Sequence, residues 1–350
     1  MSDNANYDMI ILAGDIGGTN TNFALMGKKG GAFTLILDRH YKTQEEKSLL
    51  EPLGRFLEDA RKEAPGCKPQ LCCISGAGPV NDNVCVMTNA PWNIDGNAAE
   101  KAFGFKTLVV NDFTAVSYGV VLQDINDEKG ILRLPRPDGK YVDPKPGATL
   151  VVGAGTGLGV GYLTLGKTGL VAHPSEGGHM VFPVFDDESY AFAKWLSARY
   201  DGEAPGAEAL VSGMGIGFAL SFVSEKAVVP MTKVAEQILA MPETDRPAEI
   251  SKNASSDPVC HHIMERFVEY YGRYCGSLCC IFMPTGGLYL AGGVAAKNEA
   301  FFVEGNRFMK AFAHSYREHT RKILADTPVF IAKDYSISLY GAANAAATLL

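Results

Sequence analysis

Residues 10–25, Ile10-Ile11-Leu12-Ala13-Gly14-Asp15-Ile16-Gly17-Gly18-Thr19-Asn20-Thr21-Asn22-Phe23-Ala24-Leu25, decide the fold. A short apolar strand runs into a glycine-bracketed aspartate, a tight polar turn and a second strand. Gly17 and Gly18 allow a positive φ and a close approach of backbone to ligand. Successive N–H groups in such a turn can form a concave anion site. Asp15 would repel a bare phosphate, so the partner that fits is a phosphate carrying Mg²⁺. Without a ligand, the same residues would read as an ordinary hairpin with glycines at its corner. The design returns at 149–163, Thr149-Leu150-Val151-Val152-Gly153-Ala154-Gly155-Thr156-Gly157-Leu158-Gly159-Val160-Gly161-Tyr162-Leu163. Two related halves, each opening on a phosphate-facing hairpin, are the architecture this repetition implies.

The chain of 350 residues exceeds one core of roughly 100–200 residues, so two domains are expected. A hydrophobic share of 47% with 20% charged residues describes an ordinary globular chain. Net charge of −7 argues against a nucleic-acid or anionic-membrane surface, and an anionic substrate would then need a local basic or metal site. Eight cysteines include the adjacent pairs Cys72-Cys73 and Cys279-Cys280 inside apolar runs, with no secretory leader before them. They read as reduced core thiols, which places the chain in the cytoplasm. No apolar run approaches the roughly 20 residues of a membrane span.

Between and after the two hairpins, polar residues stand at the ends of several apolar strands. Phe33 to Tyr41 reads as a third strand, and Glu45 to Glu63 as a helix burying Leu49, Leu53, Phe56, Leu57 and Ala60. Leu71–Ser75 ends in Gly76-Ala77-Gly78-Pro79, Val84–Thr88 in Asn89, and Leu108–Val110 in Asn111-Asp112 before a helix. Strand ends are where an open α/β sheet binds its ligand. A polar connection, 123–147, carries one short strand near Ile131-Leu132. Two motif matches fail on context. Gly153-x-Gly155 is followed by a strand, whereas a dinucleotide fingerprint opens a helix. Gly161-x-x-x-x-Gly166-Lys167-Thr168 satisfies the phosphate-loop pattern, but its interior is strand-like and Gly169 and Pro174 leave no helix after the lysine.

Further on, Glu176-Gly177-Gly178-His179 sets an acid and an imidazole around two glycines, and Glu208 precedes a Ser212-Gly213 turn. Asp257-Pro258 gives an N-cap with proline at the first helical position. The helix behind it carries Ile263, Phe267, Tyr270, Tyr274, Leu278 and Ile281 on one stripe, with Cys275, Cys279 and Cys280 read as packing. His261 and His262 are neighbours and point apart on a helix, so a paired metal site is not expected. Leu288–Ala291 ends in Gly292-Gly293, a third turn of the same kind.

With Asp15, the Gly155-Thr156-Gly157 turn and the Gly292-Gly293 turn in hand, the chain resembles the sugar kinases related to actin, hexokinase and the heat-shock chaperone ATPases. It resembles the bacterial-type glucokinases most closely, from Ile10 to Leu350. The resemblance implies an α/β fold of two duplicated ribonuclease H-like domains with the active site in the interdomain cleft. It divides the chain into a small domain, 1–121 with 334–350, and a large domain, 122–333. It implies ATP-dependent phosphorylation of glucose at the 6-hydroxyl, with ATP and Mg²⁺ as cofactors and a homodimer built through the large domain. Asp15, Gly17, Gly18, Thr19 and Asn20 resemble the first phosphate motif, with Asp15 on Mg²⁺ through water. Gly155, Thr156 and Gly157 resemble the second, and Gly292 and Gly293 the adenosine motif. Gly78, Met87-Thr88-Asn89, Asn111, Glu176, His179 and Glu208 are similar to the sugar ligands, and Asp112 to the catalytic base.

The zinc-bearing relatives carry a cysteine cluster after the Glu-Gly-Gly-His segment, and this chain has none, so no structural zinc is expected. Thr21-Asn22 stand where these glucokinases often carry a small residue and arginine. The chemistry of the residues agrees with the assignment. Phosphoryl transfer to an alcohol needs a carboxylate for the proton, metal-bound phosphates and a closed, water-poor site. Acids and amides (Asn111, Glu176, Glu208) suit neighbouring hydroxyls, and His179 can orient Glu176. Bulk at Gly157 is expected to disturb the nucleotide and spare the sugar. A sugar-sensing regulator, a chaperone-like ATPase and a kinase of another hexose are the competing readings, and the last is the nearest of them.

Overall fold

The computed structural model describes residues 7–87, 89–167, 169–334 and 337–350. Contacts gather these into two compact units, one of Met1–Gln123, Gly166–Pro174 and Asp334–Leu350, the other of Asp124–Leu165 and Ser175–Lys333. No described helix is long and apolar enough to cross a membrane.

The first unit is built on strands β1 (Met9–Ile16), β2 (Asn20–Lys29) and β3 (Ala32–Lys42), then β4 (Leu71–Gly76). A ribbon of two-residue strands follows, β5 (Val80–Asn81), β6 (Val84–Cys85) and β7 (Ile94–Asp95), and β8 (Lys106–Asn111) completes the set. The main sheet runs β3-β2-β1-β4-β8. β1 and β2 form the antiparallel hairpin, while β4 and β8 lie parallel to β1 and to each other. One face packs Ile10, Leu12, Ile16, Phe23 and Leu25 against Leu53, Phe56 and Leu57 of helix α1 (Leu50–Glu63). Helix α2 (Gly96–Phe103) leads into β8, and α3 (Asp112–Val120) follows that strand directly. α3 packs on the C-terminal helix, Ile337–Leu349, which also lies on β1 and β4. Burial on both faces explains why β1 reads as an unbroken apolar run with no alternation.

Two expectations need correction here. The helix expected from Glu45 begins at Leu50, because Thr43–Glu45 form a single 3₁₀ turn. That turn is held by the hairpin: buried Thr43 donates from Oγ1 to the Gly17 carbonyl at 2.8 Å and shares a hydrogen bond with Thr21 Oγ1. The strand expected over Val84–Thr88 ends at Cys85. The Val86 N–H turns back to the Pro79 carbonyl and Met87 N–H to Asn93 Oδ1, while Thr88 lies outside the described residues.

The second unit repeats the plan. β9 (Ile131–Leu134) precedes the hairpin β10 (Thr149–Ala154) and β11 (Leu158–Gly166), and β12 (Gly169–Ser175), which follows in sequence, falls up to Pro174 with the first unit. Helices α4 (Asp187–Ser197), α5 (Gly213–Lys226), α6 (Lys233–Leu239), α7 (Arg246–Asn253) and α8 (Pro258–Phe282) come next. β13 (Gly287–Ala291) and β14 (Val329–Ala332) are joined by α9 (Gly293–Lys297), α10 (Glu299–Val303), α11 (Arg307–Phe312) and α12 (Glu318–Ala325). β11, β10, β13, β14 and β9 lie in that order, with β10 antiparallel to β11 and parallel to β13. A hairpin followed by two parallel strands is therefore built twice, as the two glycine turns imply. β11 ends at Gly166 and β12 begins at Gly169, so a strand and not a helix follows the phosphate-loop match Gly161 to Thr168, of which Thr168 itself lies outside the described residues.

α8 forms as its cap predicts, with Asp257 Oδ1 accepting from the N–H groups of Val259 and Cys260 at 3.0 Å each. Its stripe is buried from Ile263 to Leu278, but Ile281 is 60% exposed. The helix end is still anchored by Phe282, whose ring meets Tyr162 at 4.7 Å between centroids. Seven cysteines are buried and Cys280, in that last turn, is exposed, which corrects its reading as core. His262 turns to Glu188 at 2.9 Å and His261 to the Ala254 carbonyl at 3.1 Å, so the two rings diverge.

Candidate active site

In the first unit, the ends of β1, β4 and β8 bring the acid-bearing segments together. Asp15 sits in register with Ser75, and Gly76 with Asn111. The Asp15 carboxylate accepts from Ser75 Oγ at 3.0 Å and from Ser338 Oγ at 2.9 Å, the latter at the start of the C-terminal helix. Ser75 was visible in sequence as one more polar strand end. Ser338 was not, since 323 positions separate it from Asp15.

The turn beyond Asp15 is closed by Gly17 N–H donating to the Asn20 carbonyl at 2.9 Å. Gln44 Nε2 ties it down by donating to the carbonyls of Gly18 and Asn89, at 2.7 and 2.9 Å. A Cβ on Gly18 would come within 2.8 Å of the Asn89 backbone, so this contact requires glycine. Thr19 and Asn20 stay exposed, and Lys42 Nζ donates to Asn20 Oδ1 at 2.9 Å. The Gly17–Asn20 turn and Asn89 are thereby one assembly. Neither Gln44 nor Lys42 carried a sequence signal.

Asp112 opens α3, immediately after Asn111. Asn111 caps that helix, its Oδ1 accepting from Phe113 N–H at 2.9 Å, and its Nδ2 donates to the Gly78 carbonyl at 3.2 Å. The Asp112 carboxylate shares the Phe113 N–H at 2.8 Å. Burial pushes the Asp112 carboxyl above its usual range, the Asp15 charge adds to that, and the helix-end hydrogen bonds oppose it. Behind it lies the fully buried Cys85 thiol, pushed up to about 11 by burial and by the Asp112 charge. An acid whose proton affinity is raised at the head of a helix has the make-up of a general base.

In the second unit, the Gly155-Thr156-Gly157 turn is closed by Gly155 N–H on the Gly157 carbonyl at 2.9 Å. Gly213 N–H, at the start of α5, donates to the Gly155 carbonyl at 2.8 Å. Open space surrounds the Cβ position of Gly155. Gly292 ends the neighbouring strand at φ 87°, and a Cβ there would meet the Ala154 carbonyl oxygen at 2.6 Å. Glycine is required on both counts. The two turns are adjacent because Gly153 pairs with Ala291. Gly293 begins α9. A backbone cradle open to approach, with N–H groups and no carboxylate of its own turn, fits nucleotide phosphates.

Glu176, His179 and Glu208 are gathered near the start of β11 by close backbone contacts. A Cβ on Gly178 would overlap the Leu158 carbonyl, and one on Gly206 would lie 3.1 Å from His179. Ala207 N–H donates to the Met180 carbonyl at 2.8 Å. The Glu176 and His179 side chains are 92% and 66% exposed and 3.7 Å apart. Glu208 is placed differently. Its Oε2 accepts from Leu158 N–H at 2.8 Å, and a Cβ on Gly157 would overlap that carboxylate. Bulk at Gly157 would therefore displace Glu208 along with the turn.

The family model for Glucokinase matches residues 12–349. A glucokinase of Nostoc sp. (strain PCC 7120 / SAG 25.82 / UTEX 2576) is 32% identical over 354 residues, spanning 97% of this chain and 99% of its own. The crystal structure of a glucokinase from an Antarctic psychrotroph superposes with a TM-score of 0.80 at 24% identity, covering 97% of this chain and 98% of that one. A ROK family glucokinase from Streptomyces griseus, in complex with glucose and AMPPNP, gives 0.60 at 18% identity, covering 97% and 99%. These last two show the shared two-domain α/β fold. The match over nearly the whole length, together with two hairpin-led sheets that carry acids and glycine turns at their strand ends, makes the conclusion plain: the chain belongs to the glucokinase family, the enzymes that phosphorylate glucose.

Proposed function

We propose that this chain transfers the terminal phosphoryl group of ATP to the 6-hydroxyl of glucose with Asp112 as the general base. The observation that carries the reading is Asp112 itself, a half-buried acid of raised proton affinity at the head of α3, beside Asn111. Glucose is taken by Asn89, Asn111 and Asp112 of the first unit and by Glu176, His179 and Glu208 of the second. Gly78 shapes the loop through its bond to Asn111. Asp112 accepts the hydroxyl proton as the sugar oxygen becomes the nucleophile, which raises that oxygen's electron density where it is needed. Burial makes Asp112 a better proton acceptor than a solvated aspartate, at the cost of a larger protonated fraction at low pH.

Asp15, with its outer lone pairs free of Ser75 and Ser338, would hold Mg²⁺ through water. Gly17 to Asn20 and the Gly155-Thr156-Gly157 turn would hold the phosphates, with Gly292 and Gly293 against the adenosine. When bound, MgATP supplies the phosphoryl group and the neutralisation of its charge. The AMPPNP held by the Streptomyces relative supports ATP as donor. A coupled assay of glucose, mannose, fructose and N-acetylglucosamine against ATP, ADP and polyphosphate tests the reading. It predicts the largest kcat/KM for glucose with ATP. A larger value for another hexose would make this a kinase of that sugar.

A further inference from the structure

Away from the residues assigned above, the second unit holds two cavities that share one wall, formed by Phe185, Arg273 of α8 and His314. The larger, of about 690 Å³, is lined by acids and bases together. Its arginines are matched: Arg266 pairs with Asp186 at 2.7 Å and with Glu269, and Arg307 pairs with Glu265 and Glu304. Arg273 is not matched. No carboxylate lies within ion-pair distance of it among the described residues, and its Nε is buried with no hydrogen-bond partner. Its guanidinium lies over the Phe185 ring, 4.5 Å from the centroid, which fixes the plane of the fork.

The smaller cavity, about 250 Å³, carries no carboxylate at all. Its polar lining is Arg273, His314, Ser277, Ser315 and the Cys280 thiol, and Pro183, Val184 and Leu324 supply apolar wall. Charge in this corner is therefore in surplus. Burial lowers the Arg273 pKa, although Asp186 and Glu269 lie near enough to oppose that, and His314 is lowered by burial and then by Arg273 and Arg321. Arg273 is half-buried, its Nε is covered without a hydrogen-bond partner, and no carboxylate pairs with it, so the group that complements it best is an oxyanion able to accept from the fork.

We propose that the cavity at Arg273 is an anion site for a small phosphate monoester. The phosphate lies between Arg273 and His314 with the Ser315 hydroxyl as a further donor, the Ser277 hydroxyl being engaged with the Arg273 carbonyl at 3.2 Å, and the body of the ester lies along Pro183, Val184 and Leu324. The volume admits a phosphate with a few attached carbons and excludes a nucleotide triphosphate. None of the residues assigned to glucose or to nucleotide lines it.

The test is a titration of the full chain with inorganic phosphate, methyl phosphate and glucose 6-phosphate at constant ionic strength, read on the His314 ring resonances. The site predicts a saturable shift of His314 that sodium chloride does not reproduce. Arg273→Gln is expected to weaken that response at least about ten-fold, the usual weight of a charged hydrogen bond, and to leave kinase activity without added phosphate unchanged. Ser277→Asp, which brings a carboxylate to the guanidinium, is expected to abolish the response with Arg273 intact, so a folding defect in the first variant does not decide the matter. An unmoved His314 in the wild type, a response equal in Arg273→Gln, or a response matched by chloride would each overturn the proposal.

Discussion

Asp112 and Asp15 are two carboxylates in one unit, and their environments differ in a way that suits the separate tasks proposed for them. Asp15 is held by the hydroxyls of Ser75 and Ser338, whereas the Asp112 carboxyl is raised by burial and then by the Asp15 charge. The consequence for stability follows from the sign. A carboxyl whose folded-state pKa lies above its unfolded value favours the fold most when protonated, and that contribution is lost as pH rises through the folded pKa. At neutral pH, ionised Asp112 therefore opposes folding. Asp112→Asn is expected to raise Tm by about 1–3 °C while activity falls, a trade of stability for function; calorimetry at pH 7 checks it, and a lowered Tm would contradict it. The acid limb of the kcat profile is expected above the usual aspartate range. Ser338→Ala removes one donor from Asp15 and is expected to raise the KM for MgATP about ten-fold or more, with glucose affinity kept. An unchanged KM for MgATP would remove Ser338 from that role.

At the level of elements, the hairpins were the most legible part of the chain. The two glycine turns, the strand-end acids and the Asp257-Pro258 cap follow local rules, and each stands where its sequence implies. What local rules miss is partnership at a distance. Thr43 looks like the first turn of a helix until the hairpin carbonyl that binds it is known. Glu208 looks like an unengaged acid until Leu158 N–H is found on it, 50 positions away in sequence. Ser338 belongs to the same class. Caps offer an element-scale test. Asp257 accepts from two N–H groups of α8 and from Thr232 Oγ1 at 2.5 Å. Burial opposes its ionisation, but these bonds prevail and hold its pKa below the ordinary value. Its stabilisation is present above the unfolded pKa and lost as pH falls through the folded one. Asp257→Ala is expected to cost about 0.5–2 kcal/mol in urea unfolding at pH 7, and the difference from wild type should shrink in acid. A difference that held constant down to acid pH would contradict this account of the cap.

On the scale of the whole molecule, the residues proposed for glucose are divided between the two units, Asn89, Asn111 and Asp112 in one, Glu176, His179 and Glu208 in the other. A sugar that needs both sets shifts the population toward whatever arrangement satisfies both, in proportion to its differential affinity. Closure of that kind would also exclude water and favour the sugar as acceptor. Saturating glucose is expected to reduce the radius of gyration in solution scattering, and Glu176→Gln with His179→Ala to abolish the change while nucleotide still binds. An unchanged profile for the wild type would remove the closure step and leave the chemistry in place. The proposed chemistry rests on Asp112, and the most direct measurement is kcat for glucose with MgATP in Asp112→Asn beside the wild type, with glucose affinity measured by calorimetry on both. The account predicts formation of glucose 6-phosphate by the wild type and a fall of about 10²–10⁴ in kcat in the variant, with glucose still bound. A kcat within a few-fold of wild type would contradict it.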